Sequence, residues 1–141
     1  MAVIIRSMKR IGLLLLFLAS LLMAFQPALA QSDKPLAIVM TADGPIMPPM
    51  LEYIKRGIEV ADRRGAEVLV IQLNTPGGSI ETMLEIMREI RASNVPVVVY
   101  VAPKNAIAGS AGAMITMAGH ASAMAPETSI GASSPISSCP F

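Results

Sequence analysis

Two short apolar runs, Glu67 to Leu73 (EVLVIQL) and Val97 to Ala102 (VVVYVA), flank a segment with helical periodicity. Both are rich in β-branched residues and nearly free of charge, the pattern of a parallel strand covered on both faces. Between them Ile80, Met83, Leu84, Met87 and Ile90 recur at helical spacing. Ser79 precedes this stripe as an N-cap, Glu81 and Thr82 fall in the first turn, and Asn94-Val95-Pro96 ends it. Strand, helix and strand within roughly thirty-five residues make a βαβ unit. The sheet is therefore parallel and the crossover right-handed.

The flanking segments extend this α/β pattern. Leu36 to Thr41 reads as a further strand, closed by the turn cluster Ala42-Asp43-Gly44-Pro45. Pro48 and Pro49 open a helix whose apolar positions are Leu51, Ile54, Ile58 and Ala61. Arg63-Arg64-Gly65 ends it, with positive charge in the last turn and glycine just beyond. After Ala102, residues 103–110 read as a loop and Ala111 to Ala118 as a short helix buried all round. Ala121 to Ala125 reads as a short strand, and Pro126 to Pro140 as loop.

The first thirty residues have the form of an export signal. Arg6, Lys9 and Arg10 precede a charge-free apolar run from Ile11 to Phe25, and Ala28-Leu29-Ala30 fits the small-x-small cleavage pattern. The apolar run is shorter than the ~20 residues a spanning helix wants. An uncleaved N-terminal anchor is the alternative. Either way the remainder is exported across the cytoplasmic membrane and faces its far side.

Residues 31–141 then make one small domain, enough for a core but small for a complete α/β enzyme. With 11 Lys and Arg against 10 Asp and Glu, nothing in the charge calls for nucleic acid. The one cysteine, Cys139, cannot form an internal disulfide, and no cluster of residues has metal-ligand spacing. Neither a P-loop nor a dinucleotide-binding glycine pattern occurs, so no cofactor or metal is expected.

Two glycine-rich elements border the second apolar run: Asn74-Thr75-Pro76-Gly77-Gly78-Ser79 before it, and Ala108-Gly109-Ser110-Ala111-Gly112-Ala113 after it. By the crossover geometry both lie at the carboxyl edge of the sheet, where α/β folds place their sites. Ser110, flanked by small residues at the start of a helix, suits a nucleophile open to an approaching carbonyl. The Gly77 and Gly78 amides are free of side-chain obstruction, and the Ala111 amide adds the partial charge of a helix N-terminus where an oxyanion develops. Each element also has a plainer reading: Ser110 as an N-cap on a tightly packed helix, and Pro76-Gly77 as an ordinary turn. No general base stands out. His120 falls at the end of the apolar helix, where a terminal charge or cap is the usual role, and Lys104 lies in a loop with no reason to be desolvated.

Together with Met124-Ala125-Pro126-Glu127-Thr128-Ser129-Ile130-Gly131-Ala132, these motifs resemble the NfeD-type membrane serine proteases, relatives of Clp protease in the ClpP/crotonase superfold. The likeness runs from Leu36 to Ile136. It implies a ClpP/crotonase-like parallel sheet with flanking helices, cut short at its C-terminal side, over residues 31–136. Residues 137–141 form an atypical tail. It further implies that Ser110 is the nucleophile and that Gly77, Gly78 and Ala111 line the oxyanion hole. Members use a serine–lysine dyad, form homo-oligomers and cleave apolar segments of stomatin-like membrane proteins. In the family the dyad lysine lies several tens of residues beyond the serine, and no lysine follows Lys104 here. A non-catalytic module that binds such partners, and a crotonase-type acyl-CoA enzyme using the same two amides, are the alternatives.

Overall fold

The computed structural model describes residues 34–133. The signal segment and the tail after Ile136 lie outside them. Strands β1 (Ala37–Asp43), β2 (Val68–Asn74), β3 (Val97–Val101) and β5 (Ala121–Met124) form one sheet in the order β1-β2-β3-β5, every pair parallel. Helices α1 (Pro48–Arg63), α2 (Ile80–Ala92) and α3 (Ala111–Ala118) make the three crossovers.

Strands that follow one another in chain order, joined by right-handed crossovers, place every connecting helix on the same face. Burial shows the result. Leu69, Ile71, Leu73, Val97, Val99 and Val101 point to that face and are fully buried, whereas Val68, Val70, Gln72, Val98 and Tyr100 are only half-buried and Val39 is exposed. The expectation that β2 and β3 are covered on both faces is therefore corrected. Among the described residues only one side of the sheet carries helices, because the winding never reverses.

Helix α1 buries Leu51, Ile54 and Ala61, as its periodicity predicts. Helix α2 is capped by Ser79, whose hydroxyl accepts from the Thr82 amide at 3.2 Å. Its buried stripe is rotated from the expected one. Thr82, Met83, Ile86 and Ile90 face the core, while Ile80 and Leu84 are exposed. An ion pair between Lys55 of α1 and Glu89 of α2, at 3.6 Å, marks the flank that α2 turns towards α1. Helix α3 is buried as expected except at Met117, which is exposed.

Two strands were not anticipated. Ile107–Gly109 (β4) and Ser129–Gly131 (β6), both expected as loop, pair in parallel as a separate two-stranded sheet. At three residues each, four of the six alanine, glycine or serine, neither shows a period. Their partners are tertiary: the Thr75 amide donates to the Ile107 carbonyl at 2.7 Å and the Gly109 amide to the Thr75 carbonyl at 2.9 Å. This small sheet carries the chain from β3 to the start of α3.

Candidate active site

The two glycine-rich motifs meet where β2 and β4 end. Gly77 has φ +116°, a backbone that favours glycine, and a Cβ built on it would stand 2.9 Å from the Ser110 Cβ and 3.5 Å from its Oγ. The first motif thus presses against the serine of the second. Only a residue without a side chain fits between them.

Ser110 itself is held in an unusual conformation, φ 50° and ψ −112°, at the N-cap of α3. Its hydroxyl makes no capping bond to the first turn, in contrast to Ser79 at the head of α2. Ser110 thus occupies the N-cap position without its hydroxyl serving as the cap. The side chain is exposed, and the strain is held by the main chain: the Ser110 amide donates to the Gly131 carbonyl of β6 at 2.7 Å. Non-glycine residues in such regions cost on the order of 1–3 kcal/mol and persist where the surroundings over-determine them.

The three amides named above are not equivalent. Gly77 is buried, and its N–H donates to the Thr75 hydroxyl at 3.1 Å. Gly78 is exposed, and among the described residues no acceptor takes its N–H, nor that of Ala111. Of the three, the Gly78 and Ala111 N–H groups are therefore the ones left open to an incoming acceptor. The sequence expectations do not single out Thr75, although a threonine two residues before a turn glycine is the usual signature of a side-chain-closed turn.

Asn74 ties the edge together. Its Nδ2 donates to Asp43 at the end of β1 (3.1 Å), and its Oδ1 accepts the Ile107 amide at the start of β4 (3.0 Å). A groove of about 250 Å³ runs along β4 and β6, lined by Ile107, Ala108, Ser129, Ile130 and Ala132 among others.

Neither base candidate reaches the serine. The His120 Nδ1 accepts the Val97 amide at 3.1 Å, and the His120 amide donates to the Val97 carbonyl at 2.9 Å. That pins the ring at the amino end of β3, with the roughly 12 Å length of an eight-residue helix between it and Ser110. The Lys104 Nζ forms an ion pair with Glu127 at 3.0 Å, both side chains more than 60% exposed (64% and 61%). An exposed pair of this kind contributes about 0–1 kcal/mol. Lys104→Ala is expected to leave stability within about 0.5 kcal/mol and any turnover unchanged, checked by thermal melting and a peptide-cleavage assay. A loss of turnover alone would return Lys104 to the site.

The model for the N-terminal domain of NfeD1b matches residues 39–139. The chain belongs to that family. The membrane-bound protease PH1510 of Pyrococcus horikoshii is 41% identical over 92% of this chain, which spans 28% of that protein. Among solved structures, a mutant of the 1510-N membrane-bound stomatin-specific protease in complex with a substrate peptide superposes with a TM-score of 0.72 at 40% identity. It covers 74% of this chain, which spans 48% of it. ClpP1 from Listeria monocytogenes superposes at TM-score 0.60 and 20% identity, covering 67% of this chain and matched over 55% of its own. The fold is thus ClpP-like, a parallel sheet with flanking helices. The chain spans under a third of its curated relative and about half of the solved ones. Among the described residues no helix is long and apolar enough to cross a membrane.

Proposed function

We propose that this NfeD1b-type domain supplies the nucleophile and the carbonyl-polarising amides of an exported or membrane-associated serine endopeptidase that cleaves apolar segments of membrane-associated proteins. The observation that carries the reading is Ser110: a strained, exposed serine whose hydroxyl caps nothing, packed against Gly77. In this reading the Ser110 Oγ attacks the scissile carbonyl carbon and the carbonyl π pair moves onto oxygen. The N–H groups of Gly78 and Ala111 stabilise that oxyanion, helped by the positive end of α3. The serine proton passes to a neutral lysine that is not among these 141 residues; collapse of the oxyanion breaks the C–N bond, the departing amine takes that proton, and water then hydrolyses the Ser110 ester, restoring its hydroxyl.

Support for the substrate class comes from the apolar lining of the groove beside Ser110 and from the relative described as stomatin-specific. A stomatin-like partner is proposed on the same likeness, and a homo-oligomeric state on the family resemblance of the sequence motifs. The pairing of Lys104 with Glu127 favours a second reading in which the domain binds apolar segments without cutting them.

Hydrolysis of a fluorogenic apolar peptide by the wild type and by Ser110→Ala decides between them. Turnover that disappears in the variant, with peptide affinity kept, supports the endopeptidase. Undiminished turnover in Ser110→Ala removes Ser110 from the chemistry. Peptide binding by both proteins with turnover by neither, in a protein that carries the dyad lysine, establishes the binding module.

A further inference from the structure

We propose that Thr75 is a positioning residue that decides which amide of the Gly77–Gly78 pair faces the substrate carbonyl, an inference that rests on the endopeptidase reading. Thr75 is 1% exposed, the most deeply buried polar side chain among the described residues. A buried hydroxyl needs both a donor and an acceptor role filled. Here a single neighbour fills them: Oγ1 accepts the Gly77 amide at 3.1 Å and donates to the Gly77 carbonyl at 3.4 Å. Gly77 and Gly78 have no Cβ to restrict rotation: the Ile46 amide holds their shared peptide plane through the Gly77 carbonyl at 2.9 Å, and the Thr75 hydroxyl holds the plane before it through the Gly77 N–H. The hydroxyl holds the Gly77 N–H inward, and the chain then presents the Gly78 N–H outward.

The same residue fixes the other half of the site. Its main-chain amide and carbonyl register β4, which leads directly into Ser110, and its methyl group packs against Gly112 in the first turn of α3. One side chain thus sets the Gly78 amide and the Ser110 helix against each other. Loss of the hydroxyl should loosen the amide without emptying the core, because valine has nearly the same shape.

The test compares Thr75→Val and Thr75→Ser with the wild type and Ser110→Ala in the full chain. Amide hydrogen exchange at Gly77 and Gly78 is read alongside kcat and KM for the apolar peptide. In the wild type and Thr75→Ser the Gly77 amide should be protected and the Gly78 amide fast. In Thr75→Val the Gly77 amide should exchange at least about tenfold faster, since its buried acceptor is gone. Transition-state donors act on the chemical step, so kcat should fall roughly 10–100-fold in Thr75→Val at nearly constant KM, with Thr75→Ser close to wild type. Unchanged Gly77 exchange in Thr75→Val overturns the proposal whatever the activity. So does a kcat loss shared equally by the serine variant and tracking its melting temperature, which would mark a packing role. Turnover surviving in Ser110→Ala is a different failure: it removes the endopeptidase reading and leaves the exchange result to judge Thr75.

Discussion

Gly78→Ala is expected to unfold the site edge and abolish turnover. A Cβ at position 78 would run into the Ile46 carbonyl oxygen and stand 2.7 Å from the Ile46 nitrogen and 2.8 Å from its carbonyl carbon. Backbone cannot swing aside as a side-chain tip can, and this backbone is pinned twice. The Ile46 amide donates to the Gly77 carbonyl at 2.9 Å, and the Ile46 carbonyl accepts the Ser79 amide at 2.8 Å. Ile46 is itself fully buried. Relief therefore means breaking that bridge and moving a core residue, a loss on the order of 3 kcal/mol. For a domain near 100 residues that lowers Tm by more than about 10 °C. Displacing the outward amide should cost activity at least about 100-fold, the usual effect of losing one such donor. Gly57→Ala is the internal control. Its Cβ would meet the Met40 sulfur and methyl, the flexible end of a side chain, and should change stability by less than about 1 kcal/mol. Equal melting temperatures for the two variants would refute this account of the Gly78 contact.

Ser110→Gly should give a protein that is inactive yet more stable. At φ 50° and ψ −112° the Cβ of residue 110 is the source of the strain, and glycine removes it. The gain, set against the extra freedom glycine has when unfolded, is on the order of 1 kcal/mol. That is roughly a 4 °C rise in Tm for a domain of this size. Ser110→Ala separates the two effects. It deletes the hydroxyl but keeps the Cβ, so it should lose turnover and gain little stability. The melting difference between the two variants reads the stored strain less glycine's entropy cost, and Ser110→Gly melting below Ser110→Ala would mean that the strain is smaller than that cost. A serine that the fold would hold more cheaply as glycine is a position kept for its hydroxyl.

Much of this architecture is legible in the chain, because burial and topology are local consequences of pattern. The runs ending at Leu73 and Ala102 announce two neighbouring parallel strands, and strand order then brings Gly77-Gly78 and Ser110 to one edge. What the pattern hides is anything decided by a tertiary partner. Periodicity cannot say which flank of α2 turns inward, so Ile80 and Leu84 read as core and are exposed. It cannot say whether a second layer covers β2 and β3, since the half-buried Val70 and Val98 look the same as buried valines. Ile107–Gly109 is a strand only because Thr75 on one side and Ser129–Gly131 on the other offer it hydrogen bonds. The unequal roles of Gly77 and Gly78 depend on one threonine hydroxyl, visible only once its burial is known.

The bond from the Ser110 amide to the Gly131 carbonyl also sets an order in time. Translation delivers the serine well before the residue that holds its backbone in place. A nascent chain that has just released α3 carries β1 to β3 and the Gly77-Gly78 turn, but β4 has no β6 beside it. Until Gly131 emerges, nothing fastens the Ser110 amide, and its backbone can relax to an ordinary conformation. Ser110 therefore takes up its strained conformation only once Gly131, 21 residues further along the chain, is in place.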